Sequence, residues 1–289
     1  MYADQAVDGG GATTINPAAG PGDNGVVASI AVQDVGTYGG SISVDAGGSV
    51  SVSNAQPNGA HTITIRATDN CGGVTDAMFQ LSVDNTAPSF TPAAALLRQQ
   101  GSPSGAAVTI GTVSDAQTPA GDLVVTEVAG GTASGITVGS IGNSNGAVTA
   151  TLAASCEATS GTVRFEASDG SLAGSGDLQV NVSLNTPPSI GQYPEATVEP
   201  GHAVLIFPDA PPADNGSVDS VGTSVAPGSF AGTVTADPVT GEISVGQATP
   251  VGVYTITLTV TDNCGASADR DVDLEVLGEG IFSDGFEDS

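Results

Sequence analysis

The residues able to do chemistry in this 289-residue chain are few: three cysteines, two histidines, and aspartates scattered through short glycine-containing loops. Cys71 and Cys264 each sit in an Asp-Asn-Cys-Gly turn, Asp69 to Gly72 and Asp262 to Gly265, whereas Cys156 lies in LAASCEATSG. An odd count leaves one thiol unpaired within an oxidised chain. Asp84, Asn85, Asp115 and Asp169 form one set of hard oxygen donors, and Asn185, Asp214 and Asp262 form an analogous one. Carboxylates converging from several loops suit Ca²⁺, which completes about six to eight ligands with carbonyls and water. The expectation is no cofactor, with calcium as the one candidate. The competing reading is turn capping, because Asp-Asn-Gly, present at Asp23 and at Asp214, is a strong turn signal without any ligand.

Catalysis finds little footing. His61 and His202 are each expected on a strand, and neither has a second histidine or a cysteine at metal-ligand spacing. No nucleophile elbow or HExxH pattern occurs, and the glycine pairs lack the strand-to-helix context of a phosphate loop. Paired carboxylates for glycoside cleavage would want an aromatic platform, and the chain has no tryptophan, 4 tyrosines and 7 phenylalanines. The expectation is a non-enzyme with no catalytic residues.

Thirty-one acidic residues against four arginines give a formal net charge of -27, distributed along the chain. Such a polyanion repels phosphate backbones and anionic lipid, so nucleic acid and bare membrane are poor partners, and divalent cations or basic surfaces are compatible ones. Lysine is absent, which rules out Lys–Asn isopeptide staples. The opening MYADQAVDGGG has no apolar stretch, so it is read as neither secretory signal nor membrane span.

The elements that must position these groups are strands. Glycine (41 residues), valine and small hydroxyl residues favour short strands and tight turns over helices. Period-2 alternation marks Ile63 and Ile65 with Phe79, Leu81 and Val83; Val163, Phe165 and Ala167 with Leu178, Val180 and Val182; and Ile256, Leu258 and Val260 with Val272, Leu274 and Val276. Each set predicts a hairpin closed by an acidic glycine-containing loop. The stretch Ala93 to Gln100 is the one candidate for a short helical turn.

The chain also repeats itself. Tyr2 matches Tyr193, Asp23-Asn24-Gly25 matches Asp214-Asn215-Gly216, Asp45 matches Asp237, and the Asp-Asn-Cys-Gly turns match each other, at offsets of 191 to 193 residues. Asp84-Asn85-Thr86-Ala87-Pro88-Ser89-Phe90 parallels Leu184-Asn185-Thr186-Pro187-Pro188-Ser189-Ile190. These joints divide the chain into domains 1–84, 85–184 and 185–278, with a tail at 279–289. About seven strands per unit fits a Greek-key β-sandwich. Because Met1 aligns with Gln192, while the third unit starts its first strand at Pro188 to Tyr193, the first strand of the first unit reads as truncated. Further modules ahead of Met1, or a strand supplied by a partner chain, would complete it.

The linkers DNTAPSF and NTPPSI, the loops ASDG and TDNCG, and the run DPVTGEISVGQATPVGVYTITLTVTD resemble bacterial cadherin-like and immunoglobulin-like extracellular repeats, and TVSDAQTPAGDLVVTEV is similar to another such type. The resemblance implies three tandem all-β sandwiches in a secreted or cell-surface bacterial protein, and implies nothing about a substrate. In that fold the loop between the last two strands faces the preceding domain, and the loop before the penultimate strand faces the following one. Cys264 and Cys156 occupy those two places, so they are expected to pair across the second joint, with Cys71 free or paired outside the chain. The ending GEGIFSDGFEDS resembles IFxDGFE tails of secreted Gram-negative proteins, with sorting, surface retention or packing on a neighbour as its roles. The expected function is a non-enzymatic spacer or adhesive stalk. The alternatives are a filament subunit joined by strand complementation, and accessory binding domains of an upstream secreted enzyme. Partners would be further domains of a longer protein, copies of itself, or a protein or carbohydrate surface.

Overall fold

The alternating runs become paired strands because each presents one apolar face, and two such faces must cover each other to leave water. The computed structural model describes residues 1–278. In the first sandwich, β1 (Gln5–Asp8), β7 (Val74–Asp84), β6 (Gly59–Asp69) and β3 (Val27–Asp34) form one sheet in that order. The facing sheet is β2 (Thr13–Ile15), β5 (Val50–Ser53) and β4 (Ser41–Val44). The second sandwich has the sheet β12 (Ser134–Ser144), β13 (Ala147–Thr159), β10 (Val108–Ser114), β8 (Ser89–Pro92) facing β11 (Val124–Val128), β14 (Gly161–Ser168), β15 (Ala173–Ser183), β9 (Leu96–Gln99). In the third, β16 (Ala196–Val198), β22 (Ser267–Val276), β21 (Gly252–Asp262) and β18 (Val218–Ala226) face β17 (Val204–Ile206), β20 (Ile243–Gly246) and β19 (Thr233–Ala236).

Each sandwich lays an early strand parallel to its own last strand: Gln5 opposite Leu81, Leu96 opposite Val180, and Ala196 opposite Leu274. All other ladders are antiparallel, so the non-consecutive neighbours describe Greek-key crossovers. Three separate apolar clusters result, centred on Ile63, Phe79 and Leu81; on Phe165, Leu152 and Leu178; and on Ile256, Leu258 and Leu274. The repeat reaches into detail. The Tyr2 hydroxyl donates to Gly48 O at 2.6 Å, and the Tyr193 hydroxyl to Gly241 O at 2.6 Å. Both glycines have positive φ, 86° and 73°, which fits a tight turn under a tyrosine ring.

Several expectations are corrected. Ala93 to Gln100 is not helical: Leu96–Gln99 is β9, held by its parallel ladder to β15, and the one helical turn among the described residues is Ala120–Asp122. His202 lies off the strands, with its N–H donating to Glu199 O at 3.1 Å in a turn. Cys156 stands on β13 itself, because Ser160 alone separates β13 from β14. The entering segment of the third sandwich makes only a bridge, Ser189 to Ala213, before the ladder starts at Ala196. The counterpart ladder in the first sandwich, β1 on β7, is present over Gln5 to Asp8. The tail 279–289 lies outside the described residues.

Candidate functional site at the joints

At the second joint two loops of the third sandwich meet one edge of the second. Asp262 ends β21, and its Oδ1 accepts the N–H groups of Cys264 (2.8 Å) and Ala266 (2.9 Å), folding the turn that presents Asn263 and Cys264. Its Oδ2 accepts the side-chain amide of the linker residue Asn185 at 2.7 Å. Asp262 is 1% exposed. Burial pushes its carboxyl up, but the Asn185 amide and the turn N–H groups outweigh that and hold it below the usual aspartate range. Cys264 is bonded to Cys156, with S–S 2.02 Å and a sequence separation of 108.

Polar contacts surround the bridge. The Asn263 amide donates to Gly101 O at 3.1 Å, and the Asn215 amide donates to Gln100 O at 3.0 Å. Asp214 Oδ2 caps its own turn through Gly216 N–H at 2.7 Å. From the second sandwich, Gln99 donates to Leu184 O and Thr186 Oγ1, and Gln100 Oε1 accepts Asn185 N–H. The joint is thus clamped by one covalent bond and a ring of amide contacts.

The first joint repeats the linker contact without a sulfur. Asn85 donates its side-chain amide to Asp169 Oδ2 at 2.7 Å, while Asp169 Oδ1 accepts Ser171 and Leu172 N–H at 2.7 Å each. These donors, the Leu172 N–H foremost and the Asn85 amide next, hold Asp169 below the usual aspartate range. Gln117 spans the linker: its Nε2 donates to Asp84 O at 3.0 Å and its Oε1 accepts Thr86 Oγ1 at 2.8 Å. Asp115 Oδ2 caps Gln117 and Thr118 N–H.

The candidate calcium ligands therefore reach the joints, Asp84, Asn85, Asp115 and Asp169 at the first and Asn185, Asp214 and Asp262 at the second. The carboxylates of Asp169 and Asp262 are committed to N–H donors, whereas Asp115 Oδ1 and Asn185 Oδ1 are buried without a hydrogen-bond partner among the described residues. Both Asp169 oxygens and both Asp262 oxygens already accept N–H donors, and each linker asparagine points its amide nitrogen at a carboxylate. Among the described residues no group of three or more His, Cys, Asp or Glu side chains is placed to hold a metal ion. As arranged, Asp169 and Asp262 cap their turns and hold the linker asparagines. Asn215, Asn263, Gln100 and Gln117 were not singled out by sequence, although the asparagine recurs in both copies of each Asp-Asn turn.

The histidines belong to neither joint. His61 is 3% exposed and satisfied at both ring nitrogens, by Thr37 Oγ1 and Pro57 O, each at 2.8 Å. His202 is exposed beside Glu199 at 3.8 Å.

No family model matches the chain, and no curated protein matches it. Among solved structures it is similar to Sidekick-1 immunoglobulin domains 1–5 at 14% identity and TM-score 0.45, covering 95% of this chain and 57% of that one. It is similar to protocadherin gamma B7 extracellular cadherin domains 1–4 at 18% identity and TM-score 0.31, covering 86% and 66%. An endo-fucoidan hydrolase of glycoside hydrolase family 107 aligns at 14% identity and TM-score 0.37, and this chain spans 44% of its length. These likenesses are loose, and the sandwich architecture stands on the strand order itself.

Proposed function

We propose that the chain is a non-enzymatic array of sandwich modules in a secreted or cell-surface bacterial protein, acting as a spacer or adhesive stalk. One observation carries this reading: the Cys156–Cys264 bond ties the second and third sandwiches at their joint rather than bracing either core. A bridge there restrains bending between domains, which a spacer needs and a free globular domain does not. The disulfide favours an oxidising, extracytoplasmic setting. The net charge of -27 suits a soluble surface that avoids nucleic acid and anionic lipid.

Spectroscopic labels on the second and third sandwiches test the reading. A narrow distance distribution that broadens in the Cys156→Ser/Cys264→Ser variant supports it. Equal breadth in both proteins would remove its basis. Electron microscopy of the purified chain distinguishes the filament alternative, which alone gives ordered polymers.

A further inference from the structure

The first sandwich carries, on its outward end, the same fittings that the third sandwich uses to seize the second. Asp69 Oδ1 accepts Cys71 and Gly73 N–H at 2.7 and 2.8 Å, as Asp262 Oδ1 accepts Cys264 and Ala266 N–H. Asn70 N–H donates to Val26 O at 3.0 Å, as Asn263 N–H donates to Ser217 O at 2.9 Å. Asp23 Oδ2 caps Gly25 as Asp214 Oδ2 caps Gly216. In the third sandwich these loops hold Gly101, Gln100 and Cys156; in the first they face solvent, with Cys71 exposed.

A second feature lies beside them. A groove of about 330 Å³ runs between the sheets of the first sandwich, lined by Val27, Ile30, Ile65, Ala67, Thr75 and Ala77. The corresponding face of each sister sandwich is covered by its own entering segment. Phe90 of Pro88-Ser89-Phe90 stacks on Phe165 at 5.5 Å and passes over Gly176, where a side chain would meet Phe90 O. Ile190 of Pro188-Ser189-Ile190 packs on the third core, and Arg270 holds its carbonyl at 3.2 Å. Ala77 is the counterpart of Arg270 and Gly176 in the β6–β7 hairpin, so the groove is the same seat.

We infer that the outward end of the first sandwich is a docking face for another sandwich of the residues 85–184 type, attached ahead of Tyr2 through an Asn-Thr-x-Pro-Ser-apolar linker. The apolar linker residue fills the groove, the linker asparagine donates to Asp69 Oδ2, and Asn70 and Asn24 take backbone carbonyls of the incoming edge. Cys71 Sγ joins the incoming counterpart of Cys156. One S–S bond forms, and two protons and two electrons pass to a small-molecule disulfide, which is reduced to two thiols. The acidic tail is a poorer occupant, since Glu279, Asp284, Glu287 and Asp288 would approach Asp23 and Asp69.

This rests on the array reading, and one experiment separates the two. A second copy of residues 85–191 is placed ahead of Met1 of the full chain, refolded with a glutathione redox pair, and its disulfides are mapped by mass spectrometry. The expected result is loss of Cys71 alkylation and a peptide linking Cys71 to the added copy's Cys156. Changing the linker asparagine of the added copy to alanine should lower the yield of that link. Cys71 remaining freely alkylated while the original Cys156–Cys264 bond forms would overturn the docking face and leave the array reading intact. Cys71–Cys71 dimers of the unextended chain would overturn it in favour of self-association.

Discussion

Asn185 donates its side-chain amide to Asp262 Oδ2 at 2.7 Å, and Asn85 makes the same bond to Asp169 at the other joint, so one residue pair governs both linkers. The second joint then adds the sulfur bridge. The first joint holds its linker by this hydrogen bond to a charged acceptor with no sulfur bridge beside it.

Asn185→Ala removes the one donor to that oxygen among the described residues and leaves a carboxylate that is 1% exposed without a partner there. An unsatisfied buried acceptor costs about 1–3 kcal/mol. Urea unfolding of the third sandwich should show a lower midpoint with an unchanged slope. A midpoint equal to that of the parent protein would mean that water replaces the amide at no cost.

Acid should loosen both joints. Asp169 and Asp262 are held below the ordinary aspartate range when folded. The unfolded chain therefore binds more protons in acid, and stability rises with pH there. This contribution is complete above the unfolded aspartate pKa of about 3.9 and is lost as pH falls through the lower folded values. Unfolding midpoints measured from pH 7 down to pH 2 should drop in that window. Asp262→Asn should lower the midpoint at pH 7 and flatten the fall.

The strands were legible because burial follows period 2: Ile256, Leu258 and Val260 are each 0% exposed, as their alternation with threonine requires. Leu96–Gln99 was not, because its residues suit a helix locally and only the distant ladder to β15 makes them extended. The joint asparagines were hidden for a different reason. A turn role already accounts for Asn215 and Asn263, and their second role depends on Gln100 O and Gly101 O, more than 100 residues away. Asp262 and Asp169 reach the joints, where their spacing puts them, but spacing shows where carboxylates converge and not which N–H groups reach them.

The sulfur bridge gives a count and an energy. Denatured, non-reduced protein should present one thiol, Cys71, because Cys156 and Cys264 are bonded. Cys156→Ser/Cys264→Ser should cost about 2–4 kcal/mol through freedom gained by the unfolded chain. Much of its effect on the folded protein should fall on the joint, so limited proteolysis is expected to cut first between residues 184 and 188. Three thiols in the unreduced protein would show that the bond does not form.

Chelation should change nothing. Asp169 and Asp262 each accept N–H donors at both oxygens, and Asp115 and Asp214 cap their own turns. A calcium ion at Asp169 or Asp262 would compete for these oxygens with the N–H groups already bound there, such as the part-buried one of Ala266. Thermal melts in excess calcium and in excess EDTA should superimpose. A calcium-dependent rise in midpoint that vanishes in Asp169→Asn or Asp262→Asn would show that the ion rearranges a joint, and would return these residues from turn caps to ligands.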